Sequence, residues 1–173
     1  MPRGEGRRTA ISADVPPGTS HLTVKVPARV SRGRALALLD APGRAGWLGE
    51  LIELRADDAD RHLVDLELRV SEQTPHIAFR KAAYVDVGPV RDDRFGPIRL
   101  AISWRAAGLA PLFPVFSGTL AWDAGELQLD GYYAPPGGGI GIIADRLLLN
   151  VAARGTARLL LERVASAMRG DRG

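Results

Sequence analysis

The last part of the chain is a proline-free segment, from about Ile140 to Arg169, with a single apolar stripe. Members of the stripe recur every three or four residues: Leu149, Ala153, Ala157, Leu160, Val164 and Met168. Charged residues such as Arg154, Arg158 and Glu162 lie mostly on the opposite side. The spacing predicts an amphipathic helix of roughly 45 Å. Gly170 provides its C-terminal stop.

The middle of the chain alternates apolar and polar residues with the period of two that is typical of strands. In residues 61–70 the alternation predicts one apolar face, formed by Val64, Leu66, Leu68 and Val70. Similar patterns occur at 21–28, 48–56, 76–87, 98–106, 115–122 and 126–133, and a phase slip at Arg80 to Ala82 indicates a bulge. Asp123-Ala124-Gly125 predicts a hairpin turn. One buried and one wet face are typical of an antiparallel sheet.

The N-terminal part predicts a tail and then short helices. Residues 1–19 are rich in Gly, Pro and Arg, which favours a flexible tail. Ser31 is a candidate N-cap for a helix through residues 32–41, which Pro42 and Gly43 end, and Trp47 indicates a second short turn. We therefore expect one α+β domain over residues 20–170, with one strand, short helices, six further antiparallel strands and the long helix.

A glycine-rich run precedes the long helix. Gly139-Ile140-Gly141-Ile142-Ile143-Ala144 fits the G-x-G-x-x-[GA] pattern of a dinucleotide-binding loop. That loop requires a second parallel strand after the helix, and this chain ends with the helix. The glycines and Pro135-Pro136 are therefore interpreted as a sharp turn from the sheet to the helix.

Composition removes several classes of site. The chain has no cysteine, which excludes disulfides and thiolate chemistry. His21, His62 and His76 lack metal-ligand spacing, no serine nucleophile motif occurs, and no metal or cofactor is expected. The net charge of +3 comes from dispersed arginines, so no nucleic-acid partner is expected. With no apolar run long enough for a signal peptide or a membrane span, we expect a cytoplasmic location.

The order of elements resembles the helix-grip fold of the START-like superfamily, also called SRPBCC proteins, which includes the birch-pollen allergen family. The resemblance by element order covers residues 20–169, and the residue-level likeness covers 116–165. The latter is carried by Phe116-Ser117-Gly118-Thr119-Leu120, Leu129-Asp130-Gly131-Tyr132-Tyr133, Pro135-Pro136-Gly137, Ile140-Gly141, Asp145-Arg146 and Leu147-Leu148. It is similar to uncharacterised bacterial members. The resemblance implies a curved seven-stranded antiparallel sheet around the long helix, with an apolar cavity for lipids, polyketides or hormones between them.

Candidate cavity residues follow from strand phase, the helix stripe and this resemblance. They are Leu66, Leu68, Leu100, Ile102, Trp104, Phe116, Leu120, Trp122, Tyr133, Arg146, Asn150, Ala153 and Ala157. For Trp104, Phe116 and Trp122, core packing is the better interpretation, because aromatic side chains dominate ordinary cores. Small helix residues leave room for a ligand or allow close packing. Either Tyr132 or Tyr133 faces inward, since consecutive strand residues point to opposite faces.

Three functions remain open from the sequence. The first is binding of a small hydrophobic ligand in the cavity. The second is a polyketide cyclase- or aromatase-like enzyme, in which Arg146, Asn150, Tyr132 or Tyr133 polarises a carbonyl. The third is an interaction protein with a collapsed cavity, which uses its basic termini or the apolar loop of residues 108–114. The sequence contains no recognisable catalytic constellation, and it leaves the oligomeric state open.

Overall fold

The computed structural model describes residues 18–49, 51–54, 59–69, 78–108, 115–134 and 146–170. The strands are β1 (Ser20–Pro27), β2 (Leu51–Leu54), β3 (Asp60–Arg69), β4 (Ala78–Val87), β5 (Arg91–Asp92), β6 (Ile98–Ala106), β7 (Val115–Asp123) and β8 (Glu126–Ala134). The helices are α1 (Arg32–Leu39), α2 (Ala45–Leu48) and α3 (Arg146–Arg169), and a short 3-10 helix spans Ala41–Gly43. The predicted tail before residue 18, the glycine-rich run and the loop of residues 109–114 lie outside the described residues.

The strands form one curved antiparallel sheet in the order β1-β8-β7-β6-β4-β3-β2, and the two-residue β5 pairs with β6. The predicted order of elements is confirmed, with β5 as an eighth strand that the alternation did not reveal. The hairpin between β7 and β8 is also confirmed. Ala124 and Gly125 have φ of 45° and 89° there, the positive values of a type I′ turn.

Pairing across the sheet separates a concave face from a convex one. Leu100, Ile102 and Trp104 of β6 are buried on the concave face, whereas Arg99 and Arg105 are exposed on the other. Directly opposite residues share a face, so the alternation of β6 continues into β7 and β8. The prediction of one buried and one wet face is confirmed.

The predicted bulge at Arg80 to Ala82 is wrong in the pairing with β3. Residues 60–69 pair with 78–87 without a shift in register. Lys81 lies directly opposite the buried Leu66, so the concave face of β4 carries an exposed lysine. The break in hydrophobic phase therefore reflects a charged residue on the apolar face and no extra residue.

The long helix α3 buries the predicted stripe. Ala153, Ala157, Leu160, Val164 and Met168 are all at most 2% exposed. Gly170 follows with φ of 81°, and its N–H donates to the carbonyl of Ala167 at 3.1 Å, which ends the helix as predicted. The described helix begins at Arg146, so its expected earlier start at Ile140 is outside the described residues.

α3 is held at both flanks of the sheet. Its backbone comes close to β1 and β3 and to a lesser extent β8, whereas it approaches the central strands β4, β6 and β7 only marginally. On the β3 side, the Thr156 hydroxyl donates to the carbonyl of Glu67 at 3.4 Å, and Arg163 Nη2 donates to the carbonyl of Asp65 at 3.2 Å. The sheet therefore curves around the helix, which is the helix-grip arrangement.

The short helices lie in the connection between β1 and β2. Ser31 caps α1 by accepting from the N–H of Arg34, as predicted. The strand expected from Leu48 starts later, because Leu48 ends α2 and Gly49 turns the chain at φ of 79°. Arg44 fixes this region to the sheet. Its buried guanidinium pairs with Asp60 and donates to the carbonyls of Leu39 and Gly88 at 3.1 and 2.8 Å.

Candidate functional site on the concave face

A row of directly opposed residues crosses the concave face, one from each of five neighbouring strands. The row consists of His62, Val85, Trp104, Phe116 and Tyr133. Every member is at most 5% exposed. Trp104, Phe116 and Tyr133, which we call the aromatic row, lie close to the ends of β6, β7 and β8. The connections between β3 and β4, β6 and β7, and β8 and α3 leave the sheet at this same end.

Two glycines make space for the aromatic row. Gly118 and Gly131 are directly opposite each other on β7 and β8. A Cβ at either position would lie 2.7 to 2.8 Å from Cζ of Phe116 and 2.2 to 2.4 Å from a backbone carbonyl of the other strand. The Phe116 ring therefore occupies the space above the glycine pair. It also stacks on Trp104, with a centroid distance of 4.2 Å and an interplanar angle of 18°.

The three tryptophans differ at the indole nitrogen. Nε1 of Trp122 donates to the carbonyl of Ala28 at 3.1 Å, and Nε1 of Trp47 donates to the carbonyl of Leu38 at 3.2 Å. Nε1 of Trp104 is buried and has no hydrogen-bond partner among the described residues. A buried donor without a partner is uncommon in native proteins and is a reason to look for a missing acceptor.

Most of the predicted cavity residues lie on the two surfaces that face each other across the interior. Ten of them are buried there: Leu66, Leu100, Ile102, Trp104, Phe116, Leu120, Trp122, Tyr133, Ala153 and Ala157. The backbones of Leu68 and Arg146 are in β3 and α3, but their side chains lie outside the described residues.

The polar candidates whose side chains are described, Tyr132, Tyr133 and Asn150, are not brought together. Tyr133 is buried on the concave face, whereas Tyr132 is half-buried on the convex face, where its ring packs edge-on against His21 at 5.2 Å. The side-chain oxygen of Asn150 accepts from Nε of Arg154 at 3.0 Å on an exposed part of α3. Of the described groups suggested for polarising a carbonyl, Tyr133 alone faces the interior.

His62 was not among the predicted site residues, although the sequence contains the signal. It precedes Val64 and Leu66 by two and four residues, so the period of β3 places it on the buried face. It is 3% exposed, and Nδ1 lies 3.4 Å from the carbonyl of Gly49. Searching only for metal-ligand spacing overlooked this strand phase.

Two cavities bounded by described residues open on the convex side of the sheet. One, of about 670 Å³, is lined by polar and charged residues that include Lys25, Arg99 and Glu126. The other, of about 330 Å³, is lined by small residues such as Ser103 and Ser117. The described concave side chains of β6 and β7, in contrast, are buried.

The convex face carries a polar row beside these cavities. Its members are directly opposite one another in the order Arg61, Asp86, Ser103, Ser117, Tyr132 and His21. Arg61 holds Asp86 through Nε at 2.7 Å and Nη2 at 3.1 Å. This hydrogen bonding raises the pKa of the Arg61 guanidinium above its ordinary value, and the charges of Asp86 and Glu53 add to the effect. Arg61 and Asp86 thus neutralise each other's charge.

Within the described ranges, no three histidine or carboxylate side chains come together in the way that a metal ion requires. None of the described helices is long and apolar enough to cross a membrane.

No protein-family model matches the chain, and no curated protein matches it. Solved structures give distant similarities. A protein of the dynemicin biosynthetic locus, DynU16, is 18% identical with a TM-score of 0.41, and the match covers 89% of this chain and 48% of DynU16. The chain thus spans about half the length of that protein.

Two further structures match over most of both chains. A conserved protein from Geobacillus kaustophilus is 15% identical with a TM-score of 0.46, over 88% of this chain and 95% of the other. Protein Ms6760 from Mycobacterium smegmatis is 12% identical with a TM-score of 0.45, over 88% and 89%.

Proposed function

We propose that this protein is a START-like protein that binds a small hydrophobic ligand between the concave face of the sheet and α3. The observation that carries the proposal is the helix-grip arrangement, in which α3 lies close to β1 and β3 at the two sides of the sheet and an apolar concave face lies between them. The side chains of β6 and β7 that face the interior are buried and, apart from Gly118, apolar.

The lining favours an apolar ligand. On β6 and β7 the concave residues are aliphatic or aromatic except for Gly118, and the facing part of α3 presents the small side chains of Ala153 and Ala157. Burying apolar surface contributes about 25 cal/mol per Å², so a ligand that fits beside these residues gains affinity mainly from its own buried area. Sites of this kind fix orientation with a few polar groups.

Native mass spectrometry of the untagged protein, with a denatured control, tests the proposal. We expect an excess mass that disappears on denaturation and can be extracted into organic solvent. A bare mass that persists after incubation with fatty acids, sterols and aromatic polyketides would contradict it and favour a packed interior with an interaction role. Chemical conversion of a bound polyketide would instead favour the cyclase-like alternative.

Two neighbouring substitutions on α3 provide a matched pair. Ala157 is fully buried against the sheet, whereas Arg158 is exposed. Ala157→Phe fills interior space and should remove the excess mass, and Arg158→Phe should retain it. Circular dichroism reports whether each variant is folded. If Ala157→Phe does not fold, the excess mass on the wild-type protein still decides the question.

A further inference from the structure

The indole N–H of Trp104 is the polar group of the interior that most clearly calls for a ligand atom. Trp104 is 2% exposed, and its Nε1 has no hydrogen-bond partner among the described residues. An indole nitrogen only donates, so an acceptor is the one kind of partner that satisfies it. Leaving such a donor buried and unmet costs about 1–3 kcal/mol.

The other two tryptophans show that this chain provides acceptors for indole nitrogens elsewhere. Trp122 and Trp47 each donate to a backbone carbonyl at ordinary distances. Trp122 lies on the same concave face as Trp104, one strand away and near the opposite end of the sheet. Trp104 therefore differs from the other two tryptophans in having no acceptor for its indole nitrogen among the described residues.

The described neighbours of Trp104 provide no side-chain acceptor for its indole nitrogen. One face of the indole is covered by the Phe116 ring at 4.2 Å, and the ring of Phe116 is confined by the backbone at Gly118 and Gly131. The nearest neighbours across the sheet, Val85 and Phe116, have no acceptor in their side chains. The backbone carbonyls of a central strand are used by the adjacent strands.

We propose that the ligand is an apolar molecule with a carbonyl oxygen that accepts the hydrogen bond from Trp104 Nε1. This inference rests on the proposed function and specifies its ligand class. The rest of the molecule lies against apolar side chains, so the carbonyl fixes its orientation while the hydrocarbon part supplies buried area. A molecule of the same shape without the oxygen leaves the donor unmet and binds more weakly.

Fluorenone and fluorene test this directly, because they share a tricyclic shape and differ by a carbonyl in place of a methylene group. We would measure both affinities by titration calorimetry for the wild type, Trp104→Phe and Trp122→Phe. The wild type should prefer fluorenone by about 2- to 10-fold, the value of one neutral hydrogen bond. The preference should vanish in Trp104→Phe and remain in Trp122→Phe, which loses an indole nitrogen that is already paired.

The indole N–H resonances give a second readout that requires no folded variant at position 104. In a ¹H–¹⁵N spectrum of the wild type, fluorenone should shift the Trp104 indole signal downfield, and fluorene should not. Equal affinities for the two probes, or a preference that survives Trp104→Phe, would overturn the inference and leave the proposed function intact. If neither probe binds up to its solubility limit, the inferred ligand class is overturned, and native mass spectrometry decides the proposed function separately.

Discussion

At the scale of single residues, the buried side chains of Arg44 and Trp104 differ in whether their polar atoms have hydrogen-bond partners. Arg44 is 2% exposed and pairs with Asp60 while donating to backbone carbonyls at the end of α1 and in β4. Trp104 is equally buried, and its nitrogen has no partner in the described part of the chain. A satisfied buried group holds the fold together, whereas an unsatisfied one opposes it and requires another explanation.

The stability of two tryptophan variants should differ for this reason. Trp104→Phe and Trp122→Phe remove the same volume, but only the second breaks a hydrogen bond, which runs to the carbonyl of Ala28. That carbonyl keeps its bond from the N–H of Val30, so the extra loss is limited to about 1 kcal/mol in the free energy of unfolding. Urea denaturation of the ligand-free proteins measures both values. Equal losses would contradict the assignment of an unmet donor to Trp104.

Arg44→Met should lower the free energy of unfolding by much more than the loss of an exposed charge would. The side chains of Arg44 and Asp60 are 3% and 11% exposed, so the substitution leaves a poorly solvated carboxylate without its cation. The free energy of unfolding should fall by about 3–5 kcal/mol. Arg158→Met is the control, because Arg158 is exposed and pairs with Glu162 one helical turn away. Its loss should stay below about 0.5 kcal/mol. Similar losses for the two variants would show that the buried pair is not a structural anchor.

At the scale of elements, β7 and β8 depend on a close approach between their backbones. Gly118 faces Gly131 across the pair, and the Phe116 ring covers both. A side chain at either position collides with backbone, which cannot move aside as the end of a flexible side chain can. The same two strands carry the aromatic row, so the glycines determine where Phe116 and its stacked partner Trp104 lie.

Gly118→Ala should therefore lower the free energy of unfolding by about 3 kcal/mol or more, or prevent folding. The added Cβ would lie 2.2 Å from the carbonyl oxygen of Asp130. Gly33→Ala in α1 is the matched control, because nothing lies within 4 Å of the added Cβ. Alanine there should leave stability unchanged or raise it by up to about 1 kcal/mol. Thermal unfolding followed by circular dichroism compares the two, and a mild effect of Gly118→Ala would mean that the strands relax easily.

At the scale of the whole molecule, the helix acts as a bridge between the two sides of the curved sheet. α3 comes close to β1 on one side, and on the other it donates side-chain hydrogen bonds to two carbonyls of β3. Those carbonyls belong to a part of β3 that β2 does not cover, since β2 pairs only with residues 60–62. The helix thus closes the exposed edge of β3, and the interior lies beneath it.

Removal of a bound ligand should be visible as a loss of stability of the entire fold. A ligand present at 100 times its dissociation constant stabilises the folded state by about 2.7 kcal/mol. For a chain of 173 residues this corresponds to a shift in Tm of about 5–10 °C. The measurement is differential scanning calorimetry before and after extraction by organic solvent and refolding. An unchanged Tm would contradict a tightly bound ligand, and refolding with the extract should restore the original value.

Local patterns determined much of this protein. The alternation of β6 indicated which of its residues are buried, the stripe of α3 gave the helix and its buried side, and Asp123-Ala124-Gly125 gave the hairpin. These features depend on residues close together in the chain, so the periods of strand and helix reveal them. The two-residue β5 and the late start of β2 after Gly49 did not follow, because their sequences are too short to show a period.

Tertiary structure decided what depends on partners distant in sequence. The pairing of β7 with β8 turned Tyr133 inward and Tyr132 outward, and residues 16 and 44 positions away made Arg44 a buried anchor. The alternation in β3 was sufficient to predict that His62 is buried. No sequence pattern could predict that Nε1 of Trp104 has no acceptor among the described residues, because this depends on all the residues that pack around it. The local periodicity of the sequence alone determines which side chains are buried. Which of them meet a partner is decided by packing between elements, and the candidate site belongs to that second kind.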